Sequence, residues 1–273
     1  MIKLVVTDID GTLLEEGTDK INTEIYDVVE ELKKQGTIFA AASGRQYNSI
    51  RHVFSPIAND MIFICENGTN IICRGYDMDA TILNKQDARD LIKYIRTLDD
   101  CYMTVSSKEA IYVENRDPAF LDLMINGYKN EIRIVDDLLS EDRDILKISI
   151  YKESGVDSIA QQTIDDWKDR FRVTVAGGPW LDFMDYQADK GNAIAKIQEI
   201  LHISKEETMA FGDNHNDIGM LNHAGESYAV ANARTAVKEA AKYVAKANTE
   251  DGVLLVLKEL VEKQRKQKVK DAD

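Results

Sequence analysis

The sequence predicts an α/β protein: a three-layer core built on a parallel sheet, with an α+β unit inserted into it. Three observations carry that prediction. Two short, nearly continuous apolar runs, IKLVVT (2–7) and TIFAAA (37–42), suit strands covered on both faces. Between them, NTEIYDVVEELKKQG places Ile25, Val28, Val29 and Leu32 at helical spacing and Gly36 as a stop, a strand, helix, strand unit of ordinary length. This alternation breaks off near residue 82 and returns near residue 185.

The remaining elements come in order along the chain. MIFICENG and TNIICRG read as strands around an Asn67-Gly68 turn. From 83 to 184 the pattern gives helices over 87–98, 118–127 and 156–170, with strands over 102–106, 110–113, 145–151, 171–176 and 180–186. Adjacent strand pairs flanked by helices point to an antiparallel sheet. Beyond 185 come helix GNAIAKIQEIL, strand TMAFGD, short helix DIGMLNHA, strand SYAVAN, helix TAVKEAAKYVAKA and a last helix GVLLVLKELVEKQ. The expected domains are therefore a discontinuous core, 1–82 with 185–273, and an insert, 83–184. The charged tail KQRKQKVKDAD reads as a frayed helix end or a solvated segment.

A length of 273 residues supports about two domains, and 44% hydrophobic with 30% charged residues is the composition of a globular protein. A formal charge of -14 argues against nucleic acid or an anionic membrane as the main partner, since both need clustered cations. A small anionic substrate then needs local positive charge, which a metal ion would supply. Cys65, Cys73 and Cys101 form neither a C-x-x-C pair nor an even set, so reduced thiols are expected rather than disulfides or zinc. No apolar stretch approaches the roughly 18 residues that span a bilayer, and a cytoplasmic protein, a monomer or small homo-oligomer, is expected.

Four places could carry chemistry. Asp8 and Asp10 end the first apolar run, where open α/β sheets bind ligands. A turn is the plain reading of Asp and Gly together; a calcium loop fails because Leu13 stands where its glycine is required. Ser43, after the second run, suits a helix N-cap, and with Gly44 it equally suits phosphate at a helix N-terminus. Lys190 opens a helix, where a cation opposes the dipole; that conflict marks either an exposed, tolerant position or a phosphate-binding charge. Asp213 and Asp217 flank Asn216 after a third strand end, as in a turn or as oxygen ligands for Mg²⁺. His215 reads as an exposed loop histidine.

Taken together, Asp8-Ile9-Asp10-Gly11-Thr12, Ser43-Gly44-Arg45, Lys190-Gly191 and Gly212-Asp213-Asn214-His215-Asn216-Asp217 strongly resemble the four motifs of the haloacid dehalogenase superfamily, specifically the Cof-type phosphatases with a large α/β cap. Their order and spacing match, the insert falls between the second and third, and GVLLVLKEL resembles the closing helix. The resemblance implies a Rossmann-like core and a Mg²⁺-dependent phosphatase of small phosphorylated metabolites such as sugar phosphates. It implies that Asp8 is a nucleophile forming an aspartyl phosphate, and that Asp10 is the general acid and base. Asp8, the Asp10 carbonyl and Asp213 would hold Mg²⁺ with Asp217 close by, while Ser43, Gly44, Lys190 and Asn216 would hold the phosphoryl group. Ser43 stands where the family more often has Thr, which keeps the hydroxyl. Gly177, Gly178 and Trp180 are candidates for the substrate face of the insert, or simply turn and packing residues.

The rival enzyme reading is a sugar-phosphate phosphomutase, which returns the phosphate to its substrate. The rival from another class is a phospho-aspartate sensor without turnover. Asp10 and the roughly 100-residue insert speak against the sensor. Carbon-halide displacement needs no second aspartate at position 10 and is disfavoured.

Overall fold

A computed structural model describes residues 1–15, 18, 20–140, 142–176 and 178–272. Gly177 lies outside them. In chain order the elements are β1 (Leu4–Asp8), α1 (Glu24–Lys34), β2 (Ile38–Ala42), α2 (Tyr47–Val53), β3 (Met61–Cys65), β4 (Asn70–Cys73), β5 (Tyr76–Ala80) and α3 (Lys85–Ile95). Next come β6 (Tyr102–Ser106), β7 (Ile111–Val113), α4 (Pro118–Asp122), β8 (Ile132–Ile134), β9 (Lys147–Tyr151), α5 (Asp157–Trp167), β10 (Arg172–Val175) and β11 (Trp180–Met184). The chain ends with α6 (Lys190–Leu201), β12 (Thr208–Gly212), α7 (Ile218–Asn222), β13 (Glu226–Val230), α8 (Thr235–Ala240), β14 (Tyr243–Ala245) and α9 (Gly252–Ala272). Two compact units result, Met1–Asp79 with Asp189–Asp273, and Ala80–Ala188; the limits expected from sequence stand at 82/83 and 184/185.

The first unit is built on an eight-stranded sheet in the order β14-β13-β12-β1-β2-β3-β4-β5. From β14 to β3 every pairing is parallel, and β3 turns back antiparallel into β4. All five residues of β1 are buried, so both of its faces are covered, as helix layers require of a parallel sheet. α1 buries Ile25, Val28, Val29 and Leu32, places acidic residues in its first turn and lysines in its last, and packs along α9. Gln264 of α9 is buried there and donates to Thr37 Oγ1 at 3.1 Å.

Chain order leaves β1 towards β2 and β3 on one side and towards β12 and β13 on the other. β1 is thus the point where strand order reverses, and the carboxyl ends around it form the ligand crevice of such sheets. The register aligns Asp8 with Ala42, and Thr7 with Phe211, so β12, β1 and β2 end side by side.

The second unit has a six-stranded sheet, β10-β11-β9-β6-β7-β8, antiparallel except where β7 meets β8. One face, with Val105, Ile148, Ile150, Leu181 and Phe183, packs on Leu91, Ile92 and Ile95 of α3 and Trp167 of α5. A smaller cluster joins Ile111 and Val113 of β7 to Phe120 and Met124.

Three local expectations change, and the charged tail follows the helical one of its two readings. AAKYVAK is not helical throughout, because Tyr243, Val244 and Ala245 pair with β13 as an edge strand. β5 and the three-residue β8 are additional strands. α2 starts at Tyr47 with Gln46 as its cap residue, so Ser43 caps no helix. The last helix continues through the charged tail to Ala272.

Candidate active site

Asp8 closes β1, and burial leaves its residue 6% exposed. The Lys190 Nζ donates to Asp8 Oδ1 at 2.5 Å and to Asp217 Oδ1 at 2.7 Å. Lys190 is positioned by its own helix start: Asp189 caps α6 through its side chain, which accepts from Gly191 N at 2.7 Å. Its side chain is buried, which removes the reading as an exposed, tolerant lysine. Burial alone would lower the ammonium pKa, but Asp217 and Asp8 outweigh it and hold Lys190 above its ordinary value.

Asp213 follows β12 and Asp217 sits one turn later at the entry to α7. Asp217 Oδ2 accepts from the backbone N–H of Asp213 and of Asn214, each at 3.0 Å, which fixes the loop. Asp213 Oδ1 accepts from Thr12 Oγ1 at 2.7 Å. Gly11, at φ +85°, makes this approach possible, since a Cβ there would stand 2.6 Å from Asp213 Oδ2. His215 is exposed and holds no part of the cluster.

Ligand atoms of Asp8, Asp213 and Asp217 all lie within 4.8 Å of one another. Three carboxylates facing one ammonium leave two negative charges in excess. Burial, then the Asp217 charge, raises the Asp8 carboxyl well above the usual range, and burial raises Asp213 against the hydrogen bond from Thr12. Asp8 Oδ2 is buried and accepts no hydrogen bond among the described residues. An orphaned oxygen in a cluster of hard oxygen ligands whose ionisation is opposed by burial and by its neighbours fits a divalent cation such as Mg²⁺, which would favour the charged forms.

Around this cluster stand the other expected residues. Ser43 is buried after β2, and its Oγ accepts from Arg45 N at 3.1 Å. Asn216 donates to Asn67 Oδ1 at 3.0 Å, and a Cβ on Gly44 would lie 3.2 Å from the Asn67 amide. Asn67, in a left-handed conformation at φ 58°, therefore links the Ser43-Gly44 bend to the Asn216 loop. Sequence reasoning treated it only as a turn residue.

A second residue escaped that reasoning as well. Arg45 grips Asp10 with two hydrogen bonds, Nε to Oδ2 at 2.9 Å and a terminal nitrogen to Oδ1 at 2.5 Å. Asp10 is consequently turned towards a guanidinium rather than towards Lys190. The two aspartates one residue apart so occupy different electrostatic surroundings, one buried among carboxylates and an ammonium, the other half-exposed on an arginine.

Comparison with known proteins shows the family to which the chain belongs. The sequence profile of the haloacid dehalogenase-like hydrolases matches residues 5–257. The chain belongs to that family. It is thereby an enzyme, a hydrolase of the phosphatase class. The 5-amino-6-(5-phospho-D-ribitylamino)uracil phosphatase YbjI of Escherichia coli is 28% identical over 257 residues, covering 94% of this chain and 95% of the relative. A solved structure from Eubacterium rectale shares 32% identity with a TM-score of 0.88, covering 95% of this chain and 99% of that one. A haloacid dehalogenase-like hydrolase from Bacteroides thetaiotaomicron, 25% identical, superimposes with a TM-score of 0.84 over 95% of this chain and all of its own.

Proposed function

We propose that this haloacid dehalogenase-like hydrolase is a Mg²⁺-dependent phosphatase of small phosphorylated metabolites, sugar or polyol phosphates, working through an aspartyl phosphate on Asp8. The observation that carries the proposal is the pairing of Asp8, with one buried oxygen lacking a hydrogen bond, to the buried Lys190 ammonium. Lys190 opposes the burial that disfavours the Asp8 carboxylate and presents positive charge to an incoming phosphate dianion.

In the first step an Asp8 carboxylate oxygen attacks phosphorus, the bond from phosphorus to the ester oxygen breaks, and Asp10 gives that oxygen its proton. In the second, Asp10 takes a proton from water as the water oxygen attacks phosphorus. The acyl phosphate bond breaks, inorganic phosphate leaves and Asp8 is restored. Ser43, the Gly44 main chain, Lys190 and Asn216 bind the transferring group, whose charge is spread over its equatorial oxygens. Asp8, Asp213 and the Asp10 carbonyl, with Asp217 beside them, would hold Mg²⁺. When bound it would offset the repulsion between the carboxylate nucleophile and the phosphate.

Phosphate release from a panel of sugar phosphates, polyol phosphates, nucleotides and cofactor phosphates, with and without Mg²⁺, tests this reading. The panel includes 5-amino-6-(5-phospho-D-ribitylamino)uracil, the compound named for the E. coli relative and for two Bacillus subtilis relatives. Asp8→Asn is expected to abolish release, and Asp10→Asn to slow it by about 10² or more while binding persists. Full activity in Asp8→Asn, or no ester hydrolysed by the native chain, rejects the mechanism.

A further inference from the structure

The turn between β3 and β4 is built against ordinary backbone preference. Glu66, Asn67 and Gly68 stand in succession at φ 49°, 58° and 100°, and left-handed backbone is costly for the two that carry a Cβ. Connecting turns usually lie at the surface, where water satisfies their main chain. Here Glu66 is 2% exposed, Thr69 is fully buried, and Gly68 between them is buried too. Strain of this kind persists only where the surroundings over-determine it.

Three neighbours do so, all within the first unit. The loop after β2 is one: Glu66 N donates to Arg45 O at 3.0 Å and Asn67 N to Ser43 O at 2.9 Å. The Asn67 amide also lies against Gly44, where an added Cβ would stand 3.2 Å from Asn67 Nδ2. The loop after β12 is the second, since its Asn216 donates from Nδ2 to Asn67 Oδ1 at 3.0 Å. The third is the start of α6. A Cβ on Gly68 would stand 2.5 Å from Asp189 O, so the turn packs directly on the residue that caps α6 and precedes Lys190. Asp189 is hemmed in by α7 as well, because a Cβ on Gly219 would come within 2.6 Å of Asp189 Oδ1. One strained turn thus touches the segments that carry Ser43 and Gly44, Asn216, and Lys190.

We infer that Asn67 is a positioning residue: together with Gly68 it sets these three segments in register, and its side chain orients the Asn216 amide for the transferring phosphoryl group. The role rests on the reading above, in which Ser43, Gly44, Lys190 and Asn216 bind that group. An asparagine amide nitrogen carries two N–H donors. Asn67 takes one of them, which fixes the plane of the Asn216 amide and leaves the other for a phosphoryl oxygen. Asparagine suits the position because it tolerates left-handed backbone and also supplies the acceptor. Glycine would keep the backbone and lose the acceptor. Because the hydrogen bond from Asn216 meets the phosphate dianion before transfer as well as during it, its misplacement shows mainly in KM.

Asn67→Gly isolates the side chain, since glycine adopts the same φ without strain. Arg74→Gly is the control, an exposed residue at φ 53° that takes no part in the site. The probe is inorganic phosphate, titrated calorimetrically into the full-length protein with Mg²⁺, beside kcat and KM for the best ester of the panel. Asn67→Gly is expected to weaken phosphate affinity about threefold to tenfold, as for one lost hydrogen bond, with KM rising by a like factor and kcat changing less. Arg74→Gly should alter none of these. In an Asn216→Ala background, Asn67→Gly should weaken phosphate affinity by less than about twofold further, because residues that act through one contact are not additive. A turn that served folding alone would act equally in both backgrounds. Unchanged phosphate affinity in Asn67→Gly, or the same factor in both backgrounds, overturns the role and leaves the phosphatase reading standing if the native chain hydrolyses esters. Phosphate binding that depends on Asn67 in this coupled way supports the role even if no ester is hydrolysed, and a native chain that binds no phosphate overturns it.

Discussion

Lys190 joins Asp8 to Asp217, donating to the first at 2.5 Å and to the second at 2.7 Å from a side chain that is 1% exposed. The two carboxylates lie 209 residues apart in sequence, at positions 8 and 217, and the lysine is what makes their proximity tolerable.

Removing that cation should cost both stability and activity. Lys190→Met leaves two buried carboxylates unpaired, and breaking one partner out of a buried pair costs about 3–5 kcal/mol. Urea titration of the metal-free protein should show a loss of that order, and phosphate release should fall at least about 100-fold. A variant as stable as the native chain would mean that Asp8 and Asp217 are not charged together.

Gly11 and Gly36 make a controlled pair. Both have φ near +90°, +85° and +89°, so alanine carries the same backbone cost at each, of order 1 kcal/mol. Only at Gly11 would the new methyl strike Asp213, whereas nothing lies within 4 Å at Gly36. Gly36→Ala should lower stability by about that backbone cost with activity unchanged. Gly11→Ala should lose more than tenfold in activity, because Asp213 must move. Equal activities would show that Asp213 tolerates displacement.

Arg45 makes a prediction about leaving groups. Its two hydrogen bonds hold the Asp10 carboxylate in one orientation, so Arg45→Met should affect the proton transfer assigned to Asp10. Alkyl phosphates need that proton as the alkoxide departs, while p-nitrophenolate leaves without it. The variant should therefore slow kcat for an alkyl ester by about tenfold or more and for the aryl ester much less. An equal loss with both would assign Arg45 to binding rather than to proton transfer.

The parts of this site that could be read from the sequence are those that sit at predictable ends of elements. Asp8, Ser43 and Asp213 each stand at or just past the end of an apolar run, and parallel strands that end side by side gather such residues at one sheet edge. Arg45 on Asp10 and Asn67 on Asn216 depend on side chains reaching 35 and 149 residues across the fold, which no periodicity encodes. β14 was hidden for another reason. Alanine and lysine in AAKYVAK favour a helix locally, and only pairing of Tyr243 with Tyr228 on the open edge of the sheet overrides them.

Thiol chemistry gives a pH-dependent readout of the core. Cys65 ends β3 and is buried, whereas Cys73 and Cys101 are half-buried. Burial first, then the nearby Glu66 charge, raises the Cys65 thiol well above its ordinary value. Because the folded value is the higher one, the stability this neutral thiol contributes is fully present below the unfolded pKa, near 8.5. It is lost as pH rises through the folded value. Between pH 7 and 8.5, iodoacetamide with mass-spectrometric mapping should therefore label Cys73 in the folded protein and leave Cys65 unmodified until urea unfolds the chain. The urea midpoint should then decline as pH is taken above about 9. Cys65→Ala removes this group and should flatten that part of the decline, at a lower absolute stability from the space left in the strand. Rapid labelling of Cys65 at pH 8 would mean that the sheet opens at β3, beside the Ser43 loop that accepts the Asn67 amide at 2.9 Å.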